Sequence, residues 1–228
     1  MEEKDLPTLR MIARIHSDFP DKFGIPRQSG LTSLTSRIVF EPQFRDPNAL
    51  RGIEGWSHLW ILWIFSEAVR PGWSPTVRPP RLGGNERVGV FATRSPFRPN
   101  NIGLSSVRLE RVEHTENEGD VLIVSGADLM DGTPIIDIKP YVPYADAHPG
   151  ASGGFAAEKF GKKLKVMFPE ELLSRVEPEK REGLKDLLAE DPRPAVQDDP
   201  ERVYGMRFSD REIKFVVSDA VLTVVDVI

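Results

Sequence analysis

Helical periodicity is almost absent from roughly the first 145 residues of this chain. Short runs rich in Val, Ile and Phe take its place, bounded by Gly, Pro, Asn and Asp. That punctuation predicts strands over 9–16, 37–41, 59–65, 87–93, 104–112, 121–127 and 133–137. The run starting at Leu104 alternates imperfectly, as a half-buried strand does. Asp46-Pro47 is the exception, an N-cap followed by Pro at the first helical position, and it predicts a short helix. Strands without intervening helices do not build a doubly wound sheet. The expected fold of this region is therefore mainly β, a closed or nearly closed β-barrel.

The pattern changes after Tyr144-Ala145-Asp146-Ala147-His148-Pro149. A Gly-rich stretch ending at Gly154 reads as a linker over 148–160, separating a domain over 1–147 from one over 161–228. The second domain reads as small and α+β. A strand is expected at 164–168. Pro169-Glu170-Glu171 then opens a helix with Pro at N1 and acids in the first turn. Pro178 restarts it, Leu184, Leu187 and Leu188 fall on one stripe, and Asp191-Pro192-Arg193-Pro194 stops it. Strands follow over 204–208, 213–217 and 221–227.

Charge is unevenly spread. The whole chain carries a net −5, but residues 68–109 hold seven arginines and a single acid, Glu86, a net +6. Residues 170–201 hold eleven acids against five bases, a net −6. Arginine without lysine favours phosphate or carboxylate, because the planar fork bonds bidentately. The chain has no cysteine, which excludes disulfides and thiolate zinc sites. None of its four histidines has metal-ligand spacing. The longest apolar run, 59–65, is far too short to span a bilayer. The acidic start, Met1-Glu2-Glu3-Lys4-Asp5, lacks the shape of a signal peptide. A cytoplasmic protein is the expectation.

Four segments concentrate chemistry. Thr93-Arg94-Ser95-Pro96-Phe97-Arg98-Pro99-Asn100-Asn101 follows an apolar strand end. Its prolines stiffen the loop and its arginines suit an anionic ligand. In Asp128-Leu129-Met130-Asp131-Gly132-Thr133-Pro134 a turn precedes a strand on which Asp137, Lys139 and Tyr141 share one face. Pro26-Arg27-Gln28-Ser29 is a loop with fork and amide donors. Around His58, the tryptophans Trp56, Trp60 and Trp63 read as core. No nucleophile elbow, phosphate loop or dinucleotide fingerprint is present.

Taken together, Pro26-Arg27-Gln28, Ser57-His58-Leu59-Trp60-Ile61-Leu62, Arg78-Pro79-Pro80-Arg81-Leu82-Gly83-Gly84-Asn85, the Gly89–Asn100 stretch, Asp131-Gly132-Thr133-Pro134, Asp137-Ile138-Lys139-Pro140-Tyr141 and Asp191-Pro192-Arg193-Pro194-Ala195 resemble the TsaA/TrmO family, in order and over nearly the whole chain. That resemblance implies an S-adenosylmethionine-dependent methyltransferase acting on N6 of threonylcarbamoyl-adenosine at position 37 of tRNA. It further implies a single-sheeted β-barrel, a small C-terminal domain and a homodimer, and the lack of metal-ligand spacing adds the expectation of a site without metal. Residues it assigns to the cofactor are Arg27, Gln28, Ser29, Ser66, Glu67, Arg94, Leu104, Asp131, Gly132, Thr133 and Pro134. Asp137 or Tyr141 is the candidate for removing or sharing the proton of the acceptor nitrogen, with Lys139 tuning it or stabilising developing charge. Arg78, Arg81, Arg98, Asn100 and Arg193 are assigned to RNA. The chain departs from the family pattern at Asn101, where a proline is usual, and at Val196, where an aromatic is often found. Two rival readings use the same residues: a hydrolase of small anionic molecules, and a non-catalytic cofactor-sensing or RNA-binding module.

Overall fold

A computed structural model describes residues 8–79, 86–159, 163–193 and 199–228. Arg81 and Val196, both singled out above, lie outside the described residues. The first half is built from β1 (Ala13–His16), β2 (Thr35–Phe40), β3 (His58–Ile64), β4 (Thr76–Val77), β5 (Val88–Gly89), β6 (Ile102–Thr115), β7 (Gly119–Ser125) and β8 (Pro134–Pro140). Six of these strands close on themselves in the order β1-β2-β7-β6-β3-β8, every pair antiparallel. The ring closes where Ala13 of β1 faces Ile135 of β8.

Alternation decides what fills the ring. On β3, Leu59, Ile61 and Trp63 are buried inside, while His58 and Trp60 face out. Valines and leucines of β6 and β7 complete the interior with Ile15, Ile38 and Ile135. Of the tryptophans near His58, then, only Trp63 is core. Trp60 lies on the outer wall and Trp56 is exposed, because their positions on or before β3 have the opposite parity. Gly103 of β6 faces Trp63, and a Cβ there would overlap the indole.

The strand expected over 87–93 is corrected. Only Val88–Gly89 pairs, with β4. The chain then tightens into a 3-10 turn, Val90–Ala92. The Thr93 hydroxyl donates to the Val90 carbonyl at 2.8 Å, an alternative to the sheet ladder that such side chains often take. Asp46 caps a short 3-10 turn, Pro47–Leu50, as expected, accepting from the Asn48 N–H. A short helix that the sequence reading missed, α1 (Pro143–Asp146), follows β8.

The second half folds as a sheet of β9 (Lys165–Met167), β10 (Tyr204–Phe208), β11 (Arg211–Ser218) and β12 (Val221–Val227) in the order β10-β11-β12-β9. Helices α2 (Glu170–Leu173) and α3 (Arg181–Ala189) accompany it, and Leu184, Leu187 and Leu188 bury the expected stripe. Its core also takes in Phe19 and Leu34 from the loop between β1 and β2. Gly183 of α3 lies so close to Leu34 that a Cβ would overlap that side chain. The loop carrying Arg27 and Gln28 is thus anchored by both halves. Among the described residues, no helix is long and apolar enough to cross a membrane.

Candidate active site

A cavity of about 850 Å³ opens on the outside of the ring, at the end of β3 and the start of β6. Four segments meet there: 22–28, 63–68, 91–104 and 128–133. The β3 strand ends in a 3-10 turn, Ser66–Ala68, which brings Ser66 and Glu67 to the rim. Loop 93–100 lies against it because Asn101, at its end, accepts the Phe65 N–H at 2.8 Å through its carbonyl. The Asn101 side chain also donates to the Pro96 carbonyl at 2.6 Å. That bond closes the loop where a proline would have stiffened it, which gives the departure from the family pattern a local compensation.

Loop 26–28 is held from the other side. The Arg27 guanidinium donates to the carbonyls of Asp191 and Arg193, at 2.7 and 3.4 Å. Gln28 spans the gap between the loops: its Oε1 accepts from Arg94 Nη1, and its Nε2 donates to the Arg27 carbonyl at 2.5 Å. Arg98 braces its own loop, donating to the Thr93 carbonyl at 3.1 Å. Lys22 closes the rim through the Glu67 carbonyl at 3.0 Å.

One acid that sequence reasoning passed over lines this cavity. Asp128 follows β7 and turns its carboxylate towards a buried hydroxyl, Ser105 Oγ, at 2.5 Å. Ser105 in turn accepts from Trp63 Nε1 at 3.0 Å. The Ser29 backbone N–H also reaches this carboxylate, and Arg94 lies within electrostatic range. Burial pushes the Asp128 carboxyl above its ordinary value, and the Ser105 hydroxyl, the backbone and Arg94 oppose the rise in part. Its sequence signal was the first acid of the Asp128–Pro134 motif, placed just after an apolar strand.

Of the residues assigned to the cofactor, Arg27, Gln28, Ser66, Glu67, Arg94, Leu104 and Thr133 do meet at the cavity. Ser29 lies at its edge, lining a smaller neighbouring pocket and accepting the Ser106 N–H at 3.2 Å. Asp131, Gly132 and Pro134 are not among the lining residues. They serve the ring closure instead: Asp131 accepts the Ser17 N–H at 3.1 Å, the Gly132 carbonyl accepts from Arg14 at 3.0 Å, and Pro134 faces Arg14 across the β1–β8 pair.

Asp137, Lys139 and Tyr141 share the outer face as expected, but they do not line the cavity. The register runs Leu104, Leu62, Asp137 across three strands, which sets Asp137 about 10 Å from Leu104 along the wall. Asp137 pairs with Lys139 at 2.7 Å, and Tyr141 packs on Trp60 with ring centres 5.5 Å apart. Among the residues assigned to RNA, Arg98 and Asn100 line the cavity and Arg78 is exposed. Arg193 is turned inward onto the Asp191 carboxylate, at 2.8 and 2.9 Å.

Comparison with known proteins follows the same two halves. The family model for the tRNA-methyltransferase O N-terminal domain matches residues 14–147, and that for the TrmO C-terminal domain matches residues 161–228. The chain is 41% identical over 218 residues to tRNA (adenine(37)-N6)-methyltransferase of Escherichia coli, covering 92% of each. It is 43% identical over 212 residues to the putative S-adenosylmethionine-dependent methyltransferase RcsF of Pseudomonas aeruginosa, covering 89% of each. Among solved structures, TrmO from Pseudomonas aeruginosa superposes with a TM-score of 0.77 at 34% identity, over 98% of this chain and 99% of that one.

Proposed function

Since this chain belongs to the tRNA-methyltransferase O family, we propose that it transfers a methyl group from S-adenosylmethionine to N6 of adenosine 37 in tRNA. We propose further that the acceptor adenosine carries the threonylcarbamoyl group and that the enzyme works as a homodimer in the cytoplasm. The ring would then be a single-sheeted β-barrel, residues 1–147 the catalytic domain, 148–160 a linker and 161–228 the C-terminal domain. The return pairing of β1 with β8, the two separate main cores and the limits of the family matches support that division.

The observation that carries this reading is the convergence of Arg27, Gln28, Arg94, Ser66, Glu67, Leu104 and Asp128 on one cavity, in a chain related over 92% of its length to a tRNA adenine-37 methyltransferase. The donor set fits S-adenosylmethionine. Arg94 and Arg27 suit its carboxylate, as fork donors do. Ser66 and Glu67 suit the ribose hydroxyls or the ammonium. Leu104, Phe65 and Met130 offer apolar wall for the adenine. The cofactor, when bound, supplies an electrophilic methyl on its sulfonium.

What remains for the protein is alignment of the acceptor nitrogen and disposal of its proton. A carbamoylated N6 is a weak nucleophile until that proton is shared or removed. We assign this to Asp128 rather than Asp137. Asp128 lines the cavity, its orientation is fixed through Ser105 and Trp63, and its raised pKa improves it as a base. The experiment is methylation in vitro with purified tRNA, followed by mass spectrometry of the nucleosides. One added methyl on threonylcarbamoyl-adenosine is expected. Methyl gain on another nucleoside, or none with cofactor bound, overturns the reading. The second outcome would favour the non-catalytic rival.

A further inference from the structure

Two large aromatic rings stand in solvent beside the cavity, and the methyl-transfer chemistry has no use for them. Trp73 is 54% exposed and Phe91 is 72% exposed. They face each other with ring centres 6.1 Å apart. Their placement follows from the short β4–β5 pair. Thr76 faces Gly89, the Val90 N–H continues the pairing to the Pro75 carbonyl at 2.9 Å, and the next residues outward on each side are Ser74-Trp73 and Phe91. Phe91 also lines the cavity, and Phe97 beside it is 39% exposed. The Arg70 guanidinium covers the Phe97 ring at 4.2 Å from its centre.

We propose that Trp73 and Phe91 form a stacking platform for RNA bases next to the methylated adenosine. The proposal rests on the tRNA reading above and adds the surface that holds the substrate. Three observations favour nucleotides over a protein partner. The paired surface groups are planar aromatics, whose faces accept any base. They lie within the stretch from 68 to 109, whose net charge is +6, and guanidinium groups sit among them: Arg70 on Phe97, and Arg87, which donates to Thr76 at 2.9 Å. Lastly, Phe91 lines the cavity that would receive the target base and Trp73 stands against Phe91, so flanking bases splayed from the loop would meet them first.

The test measures binding of a fluorescein-labelled anticodon stem-loop RNA by anisotropy across salt concentrations. Cofactor titration and light scattering run alongside on the same full-length protein. Loss of a base stack by substitution weakens single-strand binding by roughly fivefold to a hundredfold. Trp73→Ala and Trp73→Leu should both show that loss, with unchanged cofactor affinity and an unchanged slope of log K against log salt, because a neutral ring releases no counterions. Trp73→Tyr should retain most of the affinity. Parental RNA binding by Trp73→Leu would overturn the platform. So would dissociation of a dimer by Trp73→Ala, which would make the patch a subunit contact. A parent that methylates tRNA while every Trp73 variant binds RNA equally well sinks the platform alone. A parent that neither binds nor methylates tRNA sinks the functional reading first.

Discussion

At the level of single side chains, the proposed reaction gives Arg94 and Asp128 different work. Arg94 is already engaged by the Gln28 amide, so its fork is aimed before any ligand arrives. Replacing it by lysine leaves the charge and removes the fork. Arg94→Lys should weaken cofactor binding roughly tenfold to a hundredfold, the equivalent of losing a charge-assisted bond of about 1.5–3 kcal/mol. Calorimetric titration reads this directly, and parental affinity would remove Arg94 from the binding set. Asp128→Asn should instead keep the cofactor and lose single-turnover rate, whereas Asp137→Asn, outside the cavity, should keep both. Burial holds the folded-state pKa of Asp128 above the ordinary 3.8, so ionisation costs the folded state stability. The cost is absent below the unfolded value and complete above the folded one. Asp128→Asn should therefore raise Tm near neutral pH and lose that advantage below about pH 3.8. An activity gain bought by a strained group is the usual trade. A neutral-pH Tm equal to or below the parent's would argue that the carboxylate is structural.

The elements matter through how they hold loops. Residues 17–34 leave the ring after β1, bury Phe19 and Leu34 in the C-terminal core, and return to β2. On the way they present Arg27 and Gln28, with Arg27 bonded to the chain just past α3. The C-terminal half of the molecule is therefore a scaffold for the loop that carries Arg27 and Gln28. Leu34→Ala should cost about 2–5 kcal/mol, as buried leucines do. Because the same anchor fixes the loop, cofactor affinity should fall as well. Denaturant unfolding and cofactor titration on one sample would show the two effects together; lost stability with unchanged affinity would separate the anchor from the site. Strand 87–93 illustrates what local pattern misses here. Its residues have β propensity, yet the Thr93 hydroxyl and the Thr93 N–H both close on the Val90 carbonyl and draw the chain into a turn, and that turn places Phe91 at the cavity. Propensity records how a residue suits a pleated surface, and tertiary partners decide whether it is offered one.

For the whole molecule, the opposed charges of +6 over 68–109 and −6 over 170–201 set the terms of RNA binding. A chain of net −5 attracts RNA only through a local field, and two basic stretches side by side in a dimer would focus it. Affinity for tRNA should fall steeply as salt rises, and light scattering should find dimers at micromolar protein. A fully active monomer with salt-insensitive binding would contradict both. Much of this was legible in sequence. The period-two runs and their turn residues dictated a strand-built first half, the leucine stripe dictated α3, and the clustering of arginines and prolines marked loop 93–100. These are local properties, written in spacing and in residue chemistry. Which outward residues share the cavity was not local. Strand register put Leu104 at the site and Asp137 two strands away. Ring closure consumed Asp131 and Gly132, and the buried bond from Ser105 singled out Asp128 from the other acids. Each depends on contacts between residues far apart in the chain, whose distances only the closed ring and its docked second core define.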